Sequence, residues 1–194
     1  MKIGIVGFQG DVSEHAEILR NIAKKRTQEI EVVNVRKKEQ LEGLDGLIIP
    51  GGESTTIYKL LKTYSLFDEI REMGRKGFPV MGTCAGLILI SSVTNDPRVE
   101  GLGLIDAEVE RNAYGRQINS FMAEVSIKGI GDYLAVFIRA PAVSNPGTAE
   151  VLAEHEGKIV MVRKGKVLGL AFHPELTKDT RVHEYFLMMI EGEG

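Results

Sequence analysis

The only cysteine of the chain, Cys84, lies between two glycines in the stretch PVMGTCAGLILI. Residues 78–82 read as a buried strand, and the residues after the cysteine can begin a helix. A side chain on such a turn points outward and its neighbours two positions away must be small, as Gly82 and Gly86 are. The pattern predicts a nucleophilic thiol whose following N–H, from Ala85, faces an oxyanion. The alternative is a buried structural cysteine.

A thiol nucleophile needs a base, and His173 is the histidine best placed to be one. It ends the apolar run VLGLAF and therefore stands at a strand terminus. Residues two apart in an extended segment project to the same side, so Glu175 can hold one ring nitrogen and leave the other for sulfur. His155 falls in a predicted hairpin turn. His15 and His183 lie in predicted helices among charged residues, where we expect solvent-exposed faces.

The stretch PGGES, residues 50–54, follows another predicted strand and should open at the same sheet edge as the cysteine. Adjacent glycines leave backbone N–H groups free to turn toward an oxyanion, and one such donor is worth about 3 kcal/mol of barrier. The alternative is a plain loop in which Ser54 caps the next helix, and both roles are compatible. A phosphate site is disfavoured because no Walker lysine follows and Glu53 adds negative charge.

The first half of the chain alternates strand and helix patterns. Strand-like runs occur at 2–8, 29–35, 46–50 and 78–82. The helical pattern DVSEHAEILRNIAKKR has apolar residues at helical spacing, with Asp11 or Ser13 as its cap. The pattern TIYKLLKTYSLFDEIREMGRKG has a break near Ser65. This alternation predicts a parallel sheet covered by helices on both faces.

After about residue 100 the predicted strands follow one another closely. They are LIDAEVERN, FMAEVSIK, LAVFIRAP, AEVLAEHEG, KIVMVRKG and KVLGLAF, with EGK and KGK as hairpin turns. KDTRVHEYFLMMIEG reads as a final helix. The sequence therefore predicts one α/β domain over residues 1–194, with a mostly parallel central sheet and an antiparallel extension in its second half.

Composition excludes several classes of protein. Hydrophobic residues make up 43% of the 194 residues and charged residues 26%, which excludes a disordered chain. The net charge of −3 and the lack of a long basic run disfavour nucleic acid as a partner. The apolar runs are too short to span a bilayer, and the start lacks a signal peptide. One cysteine excludes an internal disulfide and a cysteine-based metal site, and it fits a reducing cytoplasm.

The motifs PGGES, GTCAGLIL and HPEL, in this order, resemble those of the class I (triad) glutamine amidotransferases. FQGDVSEH near the start, RNAYGRQINSF at 111–121 and FIRAP at 137–141 narrow the resemblance to the glutaminase subunits of pyridoxal 5′-phosphate synthases. The resemblance runs from residue 3 to about residue 190. It implies a flavodoxin-like, three-layer fold.

The resemblance also implies an activity, the hydrolysis of L-glutamine to L-glutamate and ammonia. Cys84 would attack the side-chain amide and form a thioester. His173 would move the protons, and Glu175 would hold its imidazole. The backbone N–H groups of Gly52 and Ala85 would bind the oxyanion.

The substrate-binding residues are implied in the same way. They are Gly52, Glu53, Ser54, Arg111, Ile138 and Arg139. An arginine suits a carboxylate because the guanidinium fork matches its two oxygens. Without the resemblance, Arg111 and Arg139 read as residues of a solvent-exposed strand edge.

The implied partner is a separate synthase subunit, a (β/α)₈ barrel, in a large hetero-oligomer. Ammonia passed through a closed path escapes protonation to ammonium, which is not a nucleophile. The resemblance places Gln9–Gly10 near the contact, and we expect the Gly51–Gly52 peptide to reorient on docking because glycines can flip at low steric cost. We expect no cofactor, metal ion, nucleic acid or membrane partner.

Three alternatives stay open. The first is a cysteine hydrolase of the chaperone/protease type, which does not require a His-Pro-Glu pair late in the chain. The second is a flavodoxin-type binding module in which Cys84 is merely packed. The third is a glutaminase that serves histidine or nucleotide synthesis, and only the resemblance of RNAYGRQ and FIRAP argues against it.

Overall fold

A computed structural model describes residues 1–115 and 119–192. Within these ranges the strands are β1 (Lys2–Val6), β2 (Glu31–Val35), β3 (Gly46–Ile49), β4 (Val80–Thr83), β5 (Ser91–Thr94), β6 (Ile105–Glu110), β7 (Ser120–Ile127), β8 (Gly131–Ile138), β9 (Ala142–Asn145), β10 (Glu150–His155), β11 (Lys158–Lys164) and β12 (Val167–Leu170). The helices are α1 (Val12–Arg26), α2 (Ser54–Thr63), α3 (Phe67–Arg75), α4 (Ala85–Ile90) and α5 (Arg181–Glu191), with 3-10 turns at Lys38–Leu41 and Pro174–Leu176. Arg116, Gln117 and Ile118 of the segment RNAYGRQINSF lie outside the described residues.

The main sheet has the strand order β2-β1-β3-β4-β12-β11-β9-β6-β5, with β10 paired to β11. From β2 to β12 every neighbouring pair is parallel. Strand β11 is antiparallel to its neighbours, and β9 is antiparallel to β6. Strands β7 and β8 form a separate antiparallel hairpin. This confirms the predicted α/β fold with its antiparallel extension, and the order of the parallel part is that of flavodoxin-like folds.

The parallel strands are apolar because helices cover both of their faces. Every residue of β3 and β4 is buried. Helix α1 packs against β1, β2 and α5, whereas α4 packs against β3, β4, β12 and α2. The apolar stripe predicted for α1 is buried at Ala16, Leu19 and Ile22. The carboxyl ends of β1, β3, β4 and β12 therefore meet at one edge between the helical layers.

Two predicted boundaries differ in their outcome. The helix break near Ser65 is confirmed, because α2 ends at Thr63, α3 begins at Phe67 and Ser65 has φ +57°. The segment AGLILISS, in which a helix was expected to begin, is helical only over Ala85–Ile90, and β5 begins at Ser91. Its last turn closes with the Ser91 hydroxyl, which donates a 2.7 Å hydrogen bond to a helix carbonyl, and the β-branched residues that follow pair with β6.

The predicted hairpin turns occur where expected. In the EGK turn, Glu156 and Gly157 both have positive φ, and the flanking residues pair across β10 and β11. In the KGK turn, Gly165 has φ +56° between β11 and β12. This hairpin returns the chain to the parallel sheet at β12, whose end carries His173. None of the helices in 1–115 and 119–192 is long and apolar enough to cross a membrane.

Candidate active site

The carboxyl ends of the parallel strands surround a cavity of about 330 Å³. The predicted site residues that line it are Gly52, Glu53, Ser54, Cys84, Ala85, Arg111, Ile138, Arg139 and His173. Further lining residues are Gln9, Asp11, Ile88, Asn112 and Pro141. Glu175 lies buried behind His173 and does not reach the cavity itself. The fold thus brings together side chains that are far apart in the sequence.

Cys84 occupies the sharp turn between β4 and α4, with φ +49° and ψ −100°. A side chain rarely adopts this conformation, and the surrounding structure has to hold it there. The Cys84 N–H donates a 2.8 Å hydrogen bond to the Leu170 carbonyl of β12. A Cβ at Gly82 would lie 2.5 Å from the carbonyl oxygen of Gly86, and one at Gly86 would lie 2.0 Å from that of Ile49. Glycine is therefore required on both sides of the thiol.

His173 is fixed at the end of β12 from several directions. Its N–H donates a 2.8 Å hydrogen bond to the Val136 carbonyl of β8. Its Nδ1 lies 2.7 Å from Oε1 of Glu175 and 3.2 Å from Oδ2 of Asp11. A Cβ at Gly51 would lie 2.4 Å from the ring carbon Cε1, so the glycine turn packs directly on the imidazole. Nε2 makes no hydrogen bond within the described residues and is the nitrogen left for the thiol.

The carboxylates make His173 a cation. Burial by itself lowers the pKa of His173, but hydrogen bonds with Asp11 and Glu175, together with the electrostatic effect of the nearby Cys84 sulfur, outweigh it and raise the pKa to about 12. The same hydrogen bond with His173 lowers the pKa of Asp11. Burial raises the pKa of Glu175, and the imidazolium at 2.7 Å opposes this effect. The arrangement places the imidazolium beside the Cys84 side chain at the cavity.

The use of Asp11 differs from its predicted role. Asp11 occupies the N-cap position of α1 but makes no capping hydrogen bond with its side chain, which instead faces His173. The signal for this role is its position just after β1, at the same sheet edge as the thiol. Asp11, His173 and Glu175 also offer ligand atoms within 4.8 Å of one another, a spacing that could hold a metal ion. Because both carboxylates converge on Nδ1, we interpret them as acceptors of its proton, which would exclude a metal from that atom.

The glycine turn is held by Gln9. The side-chain oxygen of Gln9 accepts a 2.8 Å hydrogen bond from the Glu53 N–H, and Gly52 has φ +145°. Glu53, and not Ser54, caps α2: its Oε1 accepts hydrogen bonds from the Thr55 hydroxyl at 3.0 Å and the Thr55 N–H at 3.4 Å. The expected Ser54 cap is therefore wrong, because Ser54 is already the first helical residue. Its hydroxyl oxygen is buried at the cavity and has no hydrogen-bond partner in the described residues.

Arg111 lies between two carboxylates. Its guanidinium is 3.0 Å from Oε1 of Glu53 and also contacts Asp96, a buried residue that pairs with Arg98 as well. The sequence analysis did not single out Asp96, although the turn NDPR that contains it is a signal for a side chain held by its own backbone. Arg111 is thus a positioned cation rather than a solvated strand-edge residue.

The remaining predicted residues lie opposite the thiol at the end of β8. The carbonyl oxygen of Ile138 is 3.8 Å from Sγ of Cys84. Arg139 follows with φ +43°, its N–H donates to the Asn119 carbonyl at 2.7 Å, and its side chain is exposed. The hairpin β7–β8 therefore supplies one wall of the cavity.

Comparison with known proteins assigns the chain to a family. The model of the SNO glutamine amidotransferase family matches residues 5–192. The chain belongs to the SNO glutamine amidotransferase family. It is 56% identical over 192 residues to the pyridoxal 5′-phosphate synthase subunit PdxT of Thermoplasma volcanium, covering 99% of this chain and 96% of the relative. It is 53% identical to the corresponding subunit of Thermoplasma acidophilum, covering 100% and 95%. A crystal structure of a glutamine amidotransferase has a TM-score of 0.91 and 46% identity, covering 97% of this chain and 98% of the other.

Behind this cavity lie two histidines that we expected on solvent-exposed helix faces. That expectation is wrong, because His15 and His183 are both 0% exposed. They stand on α1 and α5, the two helices that pack together under the edge of the sheet. Their spacing from buried apolar residues on each helix is the signal that could have found them.

Proposed function

We propose that the chain, as one glutaminase domain over residues 1–194, hydrolyses L-glutamine to L-glutamate and ammonia for a pyridoxal 5′-phosphate synthase. One observation carries the proposal: Cys84 stands on a strained turn beside the cationic His173, in a cavity at the sheet edge. Glu175 and Asp11 hold the imidazole from behind. The relatives that are named as synthase subunits support the same biosynthetic role.

The chemistry follows from the positions of the side chains. The Cys84 thiolate attacks the amide carbon of the substrate, and the N–H groups of Gly52 and Ala85 stabilise the oxyanion that forms. The C–N bond breaks as His173 gives its Nε2 proton to the departing ammonia, which leaves a thioester. Water then attacks the thioester carbon and gives a proton to Nε2, and the C–S bond breaks as the thiolate leaves. Glutamate leaves, and the thiolate–imidazolium pair is restored.

The cavity walls offer complementary groups for a free amino acid. We assign Glu53 to the α-ammonium and the guanidinium of Arg111 to the α-carboxylate, because the two side chains lie 3.0 Å apart. The buried Ser54 hydroxyl has no hydrogen-bond partner in the described residues and is free for the substrate. Ile138, through its carbonyl, and Arg139 complete the site from the β8 side.

The partner is a synthase subunit, in our proposal a (β/α)₈ barrel within a large hetero-oligomer in the cytoplasm. The contact includes Gln9–Gly10, which touches the glycine turn directly: a Cβ at Gly10 would lie 1.6 Å from the Gly51 carbonyl oxygen. A shift of Gln9–Gly10 on docking must therefore move the Gly51–Gly52 peptide. The free chain would then be idle until the partner completes the oxyanion hole.

A glutaminase assay with and without the synthase subunit tests the proposal. Wild type should release ammonia in the complex and at least about tenfold more slowly alone, since one oxyanion donor is worth more than that in rate. Cys84→Ala should release none. Retained activity in Cys84→Ala would show that Cys84 is not the nucleophile. Equal rates with and without the partner would show that docking does not activate the glutaminase.

A second measurement separates the glutaminase from other cysteine hydrolases. An electrophilic glutamine analogue should label Cys84, and glutamine should block the labelling. Labelling that glutamine does not slow would favour a hydrolase of another substrate class.

A further inference from the structure

A buried histidine pair adjoins the far side of Glu175. Nδ1 of His15 lies 2.9 Å from Nε2 of His183. Nε2 of His15 is hydrogen-bonded to Oγ1 of Thr83 at 3.3 Å, and it also lies 3.4 Å from Oε2 of Glu175. Oε2 makes no hydrogen bond within the described residues, whereas Oε1 is bonded to His173. A continuous polar path thus runs from the cavity through Glu175 into the layer formed by α1 and α5.

Burying two imidazoles costs desolvation free energy that two apolar side chains of the same size would not cost. Their presence therefore suggests a role beyond packing. Both are neutral: burial lowers the pKa of His183 to about 3, and burial together with the neighbouring histidines holds the pKa of His15 well below its ordinary value. A hydrogen bond between two neutral imidazoles contains one proton, so one ring donates and the other accepts.

The surroundings select the direction of that hydrogen bond. If His15 donated from Nδ1, its Nε2 lone pair would face Glu175, and the buried Nδ1–H of His183 would have no acceptor in the described residues. If His183 donates from Nε2, His15 accepts at Nδ1 and carries its proton on Nε2, toward Glu175. The orphan atom is then an acceptor, which is the more common exception in buried structure. The Nε2–H of His183 then points to Nδ1 of His15, and the Nε2–H of His15 faces Thr83 and Glu175.

We infer that His15, held by His183, is a positioning residue for glutamine hydrolysis: its Nε2–H faces Oε2 of Glu175 at 3.4 Å, attracts that oxygen and so steadies the carboxylate that orients His173. This inference rests on the proposed function. Oε1 accepts the hydrogen bond of His173 at 2.7 Å, and Oε2 faces the Nε2–H of His15 at 3.4 Å, so each oxygen has a positive group on its own side. Without His15, Glu175 can rotate and is more easily protonated, and His173 then loses the nearer of its two carboxylate partners.

The other groups that face Glu175 do not replace this donor. Asp11 and His173 lie on the Oε1 side. Tyr133 of β8 has its hydroxyl 2.8 Å from Oγ1 of Thr177 and 3.5 Å from the carbonyl of Pro174. Among the titratable side chains of the described residues, His15 is thus the donor placed for Oε2.

The test uses His15→Leu, which removes the donor, and His15→Gln, whose amide can restore it. The matched control is His155→Gln, a histidine on β10 that packs on Phe137 away from the cavity lining. For the complex with the synthase subunit, kcat and KM are measured from pH 5.5 to 9. For the free chain, the rate of Cys84 alkylation by iodoacetamide is measured over the same range.

His15→Leu should lower kcat about 10- to 100-fold, the cost of a misplaced catalytic group, with KM within twofold. The acidic limb of the kcat profile should move to higher pH, and alkylation near neutral pH should slow. His15→Gln should regain most of both rates, and His155→Gln should match wild type. A merely structural role would not move the acidic limb or be rescued by the amide.

The outcomes separate the inference from the proposed function. If the wild-type complex releases no ammonia but His15→Leu still slows alkylation, the proposed function is wrong and the positioning role stands. If wild type is active and His15→Leu matches it in kcat, pH profile and alkylation, the positioning role is wrong. If His15→Leu does not fold, His15→Gln decides, because an unchanged acidic limb together with rates below one tenth of wild type would also overturn the inference.

Discussion

His173 and the His15–His183 pair are almost equally buried, at 3% and 0% exposure, yet His173 is a cation and the pair is neutral. His173 has two carboxylates on Nδ1, at 2.7 Å and 3.2 Å, and its pKa rises to about 12 although burial opposes this. His15 and His183 have mainly each other, and burial lowers both of their pKa values. Partners, and not burial, therefore decide whether a histidine in this protein is a cation.

The difference in charge between His173 and the His15–His183 pair agrees with the role that we propose for each. His173 faces the cavity, and in the proposed mechanism it gives up and regains a proton in each turnover. The neutral pair lies one layer deeper and can keep the same protonation state throughout the cycle. Glu175 joins the two regions, since one of its oxygens faces the cation and the other faces the neutral pair. Changes at this carboxylate should therefore have the largest effects.

Among the substitutions considered, Glu175→Gln should have the largest effect, because Glu175 lies between His173 and the His15–His183 pair. The amide oxygen can still accept the Nδ1–H hydrogen bond, but it adds no negative charge to hold the imidazolium. We expect kcat for glutamine in the complex to fall about 10³- to 10⁴-fold, as when a triad carboxylate becomes an amide. The measurement is ammonia release by the complex at saturating glutamine.

Asp11→Asn is the matched control, because it changes the second carboxylate on the same ring nitrogen. Asp11 is farther from Nδ1 and partly exposed, so we expect a loss of about tenfold, as for one weakened charge-assisted hydrogen bond. A loss in Asp11→Asn as large as that in Glu175→Gln would show that the ring depends on both acids equally.

The pH dependence of stability sharpens the same contrast. The pKa of His183 is about 3 in the folded chain and 6.5 ordinarily, so the unfolded state binds more protons below pH 6.5. This contribution to stability is present above pH 6.5 and is lost as the pH falls toward 3. It amounts to about 2 kcal/mol between pH 7 and pH 5. His173, whose pKa is raised, contributes stability that is present below 6.5 and is lost only as the pH rises through about 12.

Urea unfolding at pH 7, 6 and 5 measures this effect. The free energy of unfolding should fall more steeply with acid in wild type than in His183→Gln, by up to about 2 kcal/mol over the range. The comparison of slopes removes the contribution of the carboxylates, which both chains share. Identical slopes would mean that His183 is protonated in the folded chain.

Local rules made much of the fold and the meeting of the site residues predictable. The turn at Cys84 was predictable because a Cβ at either neighbouring glycine would collide with backbone atoms. The meeting of the site residues was predictable because the carboxyl ends of parallel strands lie at one edge of the sheet. His173 was found because it ends an apolar run and precedes Glu175 by two residues. The catalytic and binding roles of these residues stay predictions.

Other features of the site and the fold could not be predicted from local sequence patterns, or were predicted wrongly because the wrong pattern was used. His15 and His183 were assigned to solvent by their charged neighbours in sequence, although His15 is spaced with Leu19 and Ile22 on the buried face of α1. Asp11 fits a helix cap by residue type, and only the closing of the sheet brings it to His173. Strands β5 and β9 are four residues long and depend on distant pairing partners for their existence.

Thr83→Val is the smallest change and asks which acceptor takes the His15 proton. Thr83 is fully buried at the end of β4, and valine keeps its shape while removing the hydroxyl that lies 3.3 Å from Nε2 of His15. If His15 donates mainly to Glu175, kcat should fall by no more than about twofold, and stability should change by about 1 kcal/mol for the lost hydrogen bond. The measurements are the kcat of the complex and the urea midpoint of the free chain. A kcat loss as large as that of His15→Leu would show that the hydrogen bond to Thr83 is the important contact of His15. The His15–His183 pair would then support the turn that holds Cys84 rather than the carboxylate of Glu175.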